Sequence, residues 1–151
     1  MRLLIQRVIN AEVIINNAIY SSINSGLLIF VGIEEIDMAE DIEWLTKKVI
    51  QLRILSDENG LMNKSILDSG GNILIISQFT LHASVKKGNR PSFIKAARPE
   101  IAIPLYESFC LSLKDLIGNE RVKTGLFGAD MKVKLVNDGP VSIWIDSKNK
   151  E

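Results

Sequence analysis

The order of strand and helix signals along the chain is the feature that most restricts its possible folds. Apolar segments rich in β-branched residues predict strands at 3–9, 13–15, 19–23, 27–33, 73–79, 133–136 and 141–145. Asn16 and Asn17 predict a tight turn between two of them, because asparagine tolerates positive φ angles. The strands do not alternate with helices in a βαβ rhythm. The sequence therefore predicts an α/β or α+β fold with a mixed, largely antiparallel sheet.

Two main helices are predicted to pack against this sheet. The first begins after Asp37, a predicted N-cap. Its apolar stripe consists of Met38, Ile42, Leu45, Val49 and Leu52. The second runs from about residue 100 to 117 and ends at Gly118, with Pro104 either starting or kinking it. A shorter helical segment is predicted over 91–97.

Length and composition fit one folded domain that spans residues 1–151. Apolar residues make up 46% of the chain and charged residues 24%, which are ordinary globular values and exclude the disordered, collagen-like and coiled-coil classes. The longest apolar run, Leu27–Ile33, is far shorter than the ~20 residues of a membrane-spanning helix, so no membrane partner is expected. Gln6 and Arg7 interrupt the apolar N-terminus, so we expect no secretory signal and a cytoplasmic location.

Charge and the rare residues exclude several classes of function. The 18 basic and 18 acidic residues balance, so any nucleic-acid contact must come from a local basic patch. One cysteine and one histidine permit neither an internal disulfide nor a standard zinc site. The chain contains no glycine-rich nucleotide motif, no HExxH and no CxxC. We expect neither a metal nor a cofactor.

The polar residues at the end of strand 73–79 are the first candidates for a catalytic site. Ser77 and Thr80 offer hydroxyls. Gln78 offers an amide, and His82 is the only imidazole in the chain. Strand ends hold such groups at a fixed place, which suits a nucleophile or an oxyanion hole. The alternative is a strand that ends in polar residues without a function. No carboxylate is marked as a partner for His82, so a triad with Thr80 is not favoured.

A basic segment follows this candidate site closely. Residues 86–98 contain five basic side chains and no acidic one, with Phe93 among them. The residues that we expect to contact nucleic acid are Lys86, Lys87 and Arg90. Clusters of this kind bind the phosphates of nucleic acids. The alternative is a solvated basic loop.

Two glycine-containing stretches lie nearer the C-terminus. Gly139-Pro140, within residues 137–141, predicts either a plain turn between strands or a special bend. The stretch 124–131 contains two glycines, which indicates a bend with a close backbone approach. Its Phe127 and Met131 belong to the core in the simplest interpretation.

Together these motifs resemble the D-aminoacyl-tRNA deacylases, also called D-tyrosyl-tRNA deacylases. SQFTLHA at 77–83 is similar to the family's Ser-Gln-Phe-Thr-Leu-x-Ala signature, and NDGPV at 137–141 to its Asn-x-Gly-Pro-Val/Thr signature. Gln6-Arg7-Val8, Arg90-Pro91-Ser92-Phe93 and the stretch 124–131 fit as well. The resemblance covers essentially the whole chain.

The resemblance implies a homodimer that hydrolyses the ester between a D-amino acid and the 3′ end of tRNA. The pocket for the terminal adenosine and the aminoacyl group would be lined by Ser77, Gln78, Phe79, Thr80, Phe127 and Met131. Gly139-Pro140 would be a cis pair that enters the partner's pocket and screens chirality. In that case the basic residues of segment 86–98, identified above from their charge, would guide the tRNA. His82 falls at the variable position of its signature, which lowers its claim to a catalytic role.

Several mechanisms and functions are compatible with these residues. An aminoacyl ester is already activated, so backbone N–H groups at the end of strand 73–79 would suffice to hold the oxyanion, with the ribose 2′-OH assisting water. Thr80 as nucleophile is the alternative, which we do not favour because no base is evident. Two other functions are a small-ester or amide hydrolase that uses Thr80 or Ser77, and a non-catalytic dimeric RNA-binding module built on 86–98. Glycyl-tRNA is a further expected substrate, since glycine has no side chain to exclude.

Overall fold

A long hairpin forms the centre of the computed structural model, which describes residues 1–150. β1 (Arg2–Ile15) turns at Asn16 and Asn17, both with positive φ, as predicted. The chain returns as β2 (Ala18–Ile23) and β3 (Gly26–Gly32), which pair antiparallel with successive parts of β1. The first two predicted strand segments are thus parts of a single strand. The predicted domain extends to Glu151, which lies outside the described residues.

The other strands and helices complete one mixed sheet with helices packed on it. In chain order they are α1 (Ala39–Gln51), β4 (Leu55–Ser56), β5 (Met62–Lys64), α2 (Ile66–Ser69), β6 (Asn72–Ser77), α3 (Pro99–Ile117), β7 (Val122–Thr124) and β8 (Lys132–Asp146). The sheet has the order β2-β1-β3-β6-β7, with β8 paired to β1. Pairs that involve β1 are antiparallel, whereas β3–β6 and β6–β7 are parallel. This confirms the predicted mixed sheet and two main helices.

Both faces of the central strands are buried, which explains why β3 lacks an alternating pattern. Leu27 and Ile29 face a core that includes residues of α1 and α3, such as Leu45 and Phe109. Leu28 instead faces a second core with residues of β1 and β6. In the described part of the chain, no helix is long and apolar enough to cross a membrane.

The start of α1 differs from the prediction. Asp37 is not the N-cap, because the helix begins at Ala39 and Met38 occupies that position. The buried Asp37 carboxylate instead accepts hydrogen bonds from the Met1 amine and from the backbone N–H of Glu34. The Asp41 side chain accepts a hydrogen bond from the backbone N–H of Met38, so Asp41 rather than Asp37 stabilises the start of the helix.

The predicted helix over 91–97 is also wrong. Backbone hydrogen bonds join Ser92 to Ser84 and Ala97 to Ile33, and these tertiary contacts replace helical ones. Seven residues are too few to sustain a helix without packing, at the usual ~12–15 residues for an isolated one. The long helix α3 begins before Pro104 and continues through it, so Pro104 does not start it.

Candidate functional site

A pocket of about 320 Å³ opens at the carboxyl ends of the parallel strands β3 and β6. Ser77, Gln78 and Phe79 line it from the end of β6. Phe127 and Met131 line it from the segment between β7 and β8. The ends of adjacent parallel strands are a common place for ligands in α/β sheets. The fold thus brings together five predicted site residues that are far apart in sequence.

The backbone leaves β6 in a way that presents N–H groups near the pocket. Gln78 N donates to Val31 O at 2.7 Å, which ends the contact with β3. The chain then forms a short 3-10 helix, Phe79–His82. The leading N–H groups of such a helix have no acceptor within it. Groups of this kind are suited to stabilise an oxyanion.

Thr80 lies beside the pocket and contacts it through Gln78. The Gln78 amide donates through Nε2 to Thr80 Oγ1 at 2.6 Å. An amide donor cannot remove the hydroxyl proton of Thr80, so this contact does not activate Thr80 as a nucleophile. The titratable residue in the described pocket wall is Asp130, whose carboxylate lies 3.1 Å from Lys132 Nζ at an exposed position.

His82 is buried outside the pocket wall. The residue is 1% exposed, and its ring lies against the Gly32 backbone without a well-aligned hydrogen bond to either ring nitrogen within residues 1–150. Burial lowers the pKa of His82 and so favours the neutral ring. The arrangement supports a packing role for this imidazole and gives no sign of a triad with Thr80.

The basic residues lie on a closed loop next to the pocket. Ser84 and Ser92 exchange backbone hydrogen bonds of 2.8 and 2.9 Å and so close the loop between them. Lys86, Lys87 and Arg90 are exposed on this loop. Phe93 packs edge-on against Phe79 with ring centroids 5.0 Å apart, which fixes the base of the loop to the pocket wall. Binding of tRNA by the three basic side chains stays a prediction.

Gly139 and Pro140 lie on a bulge of β8 and are joined by a cis peptide bond. Gln6 pairs with Ser142 and Val8 with Asn137, so residues 138–141 of β8 face Arg7 alone. The segments predicted as two strands are therefore one irregular strand. Gly139 has a φ angle of +124°, and a Cβ there would lie 2.9 Å from Arg7 Nη2, so the position requires glycine.

The supports of this bulge were not identified from the sequence. Arg7 is buried, and its guanidinium donates through Nε to Asp138 O at 3.1 Å and through Nη1 to Ile54 O at 2.8 Å. The Asn137 side chain accepts from Val141 N at 3.2 Å, which closes the bulge. One feature of the sequence indicates that Arg7 is buried. Arg7 follows Leu3 and Ile5 at a spacing of two residues in β1, so its side chain lies on the same buried face of the strand.

The bulge lies far from the pocket of its own chain. Asp138 borders a polar cavity at the amino end of β6, beside Asn72. The pocket described above is at Ser77, the other end of the same strand. β6 separates the two by roughly 17 Å, at ~3.3 Å per residue. Gly139 and Pro140 therefore do not complete the pocket of the chain that carries them.

Comparisons with known proteins place the chain among relatives. The family model described as D-Tyr-tRNA(Tyr) deacylase matches residues 4–146. The chain belongs to this family. A D-aminoacyl-tRNA deacylase of Bacteroides fragilis (strain YCH46) is 66% identical over 151 residues, with 100% of both chains covered. A protein of the same name from Flavobacterium johnsoniae is 57% identical over the same 151 residues, with 100% of both chains covered.

Solved structures show the same fold. One titled c-Myc DNA Unwinding Element Binding Protein has a TM-score of 0.93 and 38% identity, with 97% of this chain and 98% of that chain covered. A probable eukaryotic D-amino acid tRNA deacylase has a TM-score of 0.82 and 19% identity, with 95% and 97% covered. The predicted fold is thereby confirmed. The family model and the relatives above confirm the predicted family and enzyme class, a hydrolase of the aminoacyl ester.

Proposed function

We propose that this protein hydrolyses the ester bond of D-aminoacyl-tRNA and releases the D-amino acid and free tRNA, a proofreading step in translation. One observation carries the proposal. Ser77, Gln78 and Phe79 of one signature line the same pocket as Phe127 and Met131, which follow β7. The full-length similarity to proteins named D-aminoacyl-tRNA deacylase supports it.

In the proposed mechanism the pocket positions an ester that is already activated. The terminal adenosine lies beside Phe127 and Met131, and the ester carbonyl faces the N–H groups that lead the 3-10 helix at Phe79 and Thr80. These donors stabilise the oxyanion that forms when water attacks. The ribose 2′-OH orients that water. Gln78 fixes Thr80 through their hydrogen bond, and Ser77 offers a further hydroxyl to the substrate.

Chiral selection in this proposal comes from a second copy of the chain. Gly139 and Pro140 are exposed on their bulge and distant from their own pocket, so they are available to enter the pocket of a partner in a homodimer. Arg7 and Asn137 hold the bulge from beneath. A rigid backbone edge leaves no room for an L side chain, and it rejects by steric clash. Glycyl-tRNA passes because it has no side chain.

One assay separates this function from its alternatives. D-tyrosyl-, L-tyrosyl- and glycyl-tRNA are incubated side by side with the enzyme, and p-nitrophenyl acetate is tested without tRNA. We expect hydrolysis of the D-tyrosyl and glycyl substrates only. Hydrolysis of the small ester alone would indicate a general esterase that uses Thr80 or Ser77. Binding of tRNA without deacylation would indicate the RNA-binding module, and brisk hydrolysis of L-tyrosyl-tRNA would contradict the chiral screen.

A further inference from the structure

A second groove lies behind the wall of the pocket, and the proposed function does not use it. It has a volume of about 470 Å³ and is bordered by β2, α3 and the segment from Thr124 to Phe127. Phe127 lines both the pocket and the groove. Tyr106 packs against its ring edge-on, with centroids 5.8 Å apart. The two cavities therefore share one aromatic wall that is held in place by α3.

The surface of the groove combines an exposed ring with charged groups. Tyr20 is 51% exposed and Leu126 is 47% exposed. The hydroxyl of Ser21 donates to Thr124 O at 2.8 Å, which fixes β2 and its Tyr20 against this segment. Lys114 and Glu107 border the same groove. Stacking rings beside a cation are typical of sites for single-stranded nucleic acid.

We propose that this groove binds the nucleotide that precedes the terminal adenosine, a cytidine in the CCA end of tRNA. The inference rests on the proposed function. When the adenosine occupies the pocket beside Phe127, the strand must leave over the pocket rim, and the groove continues on the other side of that ring. The cytosine stacks on Tyr20, its phosphate faces Lys114, and its N4 amino group meets the Glu107 carboxylate, the usual acceptor for that donor.

The proposal has a consequence for substrate choice. The CCA sequence is common to tRNAs, so contacts in the groove raise affinity without discriminating among amino-acid identities. A cytidine-specific acceptor also predicts that changing the penultimate nucleotide weakens binding, whereas changes further inside the tRNA do not act through this groove.

Three substrates of increasing length test the groove. D-tyrosyl-adenosine fills only the pocket, D-tyrosyl-CCA adds the groove, and D-tyrosyl-tRNA adds the rest. We expect Tyr20→Ala to raise KM by roughly tenfold for the two longer substrates, as the loss of one base stack requires. KM for D-tyrosyl-adenosine stays within about twofold, since this substrate ends at the shared wall. Tyr20→Phe restores the wild-type values, and Trp144→Ala on β8, at a residue that is 50% exposed, is the matched aromatic control.

Each other outcome has a defined meaning. An equal loss on all three substrates shows that Tyr20 supports the pocket and overturns the proposal, as does an unchanged KM on all three. A Tyr20→Ala variant that loses its dimeric mass in solution identifies the patch as an interface between copies, which also overturns it. If the wild-type protein hydrolyses none of the three substrates, the proposed function itself is wrong. This result is distinct from the others.

Discussion

Arg7 has a structural role that its residue type alone does not suggest. An arginine in the first strand marks an interruption of an apolar segment, and its alternation with Leu3 and Ile5 places it inward. Only the folded chain brings Ile54 and Asp138 to it. A buried guanidinium needs hydrogen-bond partners, and the backbone of the bulge supplies one of them to Arg7, so the bulge and its arginine depend on each other.

The hydroxyl of Thr80 gives the residue-scale prediction. Its described partner is an amide donor, so Thr80→Ala should retain most of the single-turnover rate, within about tenfold of wild type. Loss of a true nucleophile costs on the order of a millionfold. The measurement is single-turnover deacylation of D-tyrosyl-tRNA by rapid quench. A covalent acyl adduct on Thr80, trapped in the wild type and found by mass spectrometry, would refute the water mechanism.

At the scale of elements, the loop closed by Ser84 and Ser92 is where sequence and structure differ most instructively. The basic cluster was identified from composition alone, because charge needs no tertiary context. The helix predicted over 91–97 does not form, because the ring of Phe93 packs against Phe79 and the backbone of Ala97 hydrogen-bonds to Ile33. Long-range contacts of this kind have no local sequence signal. The prediction of Asp37 as an N-cap is wrong partly for the same reason, since one of its partners is the distant Met1 amine, whereas the other, the backbone N–H of Glu34, is local.

The basic loop gives a prediction about salt dependence. Replacement of Lys86, Lys87 and Arg90 by alanine should raise KM for D-tyrosyl-tRNA and reduce the slope of log K against log salt by about 2–3, since each phosphate contact contributes roughly 0.7–0.9. Binding is measured by filter retention or fluorescence from 50 to 300 mM salt, a range that reveals such slopes. The matched control removes Lys47, Lys48 and Arg53 around α1. An unchanged salt slope in the loop variant would show that the loop is solvated and does not contact the phosphates of tRNA.

The start of α1 gives a prediction about pH. Burial raises the pKa of Asp41, but hydrogen bonds from Lys148, Ser147 and the Met38 backbone outweigh it and lower the pKa to about 2. A carboxyl group whose pKa is lower in the folded chain than in the unfolded chain stabilises the folded state at pH values above its unfolded-state pKa. This stabilisation is lost as the pH falls from about 4 to 2. The melting temperature of Asp41→Asn should therefore be lower than that of the wild type at pH 6. The two melting temperatures should converge near pH 2. A difference that is constant over this range would contradict the assignment.

At the scale of the whole molecule, the separation of bulge and pocket along β6 predicts complementation between copies. One variant has a disabled pocket (Phe127→Ala with Met131→Ala), and the other lacks Gly139 and Pro140. Each alone should be inactive. Co-refolded in equal amounts, they should recover about a quarter of the wild-type sites, because half of the random dimers are mixed and each mixed dimer has one complete site. Mixing without recovery would show that bulge and pocket act within one chain.

The pairing of β1 with β8 also has a consequence for how the protein is made. Arg2 pairs with Asp146, so β1, which is translated before the other strands of this sheet, gains its last neighbour only when β8 has emerged. The hairpin with β2 and β3 can form during synthesis, because its contacts are local. The segment that carries Gly139 and Pro140 joins the sheet after every other strand has been translated. Contacts of such long sequence separation form slowly, so the bulge that carries Gly139 and Pro140 is the part of the sheet that matures last.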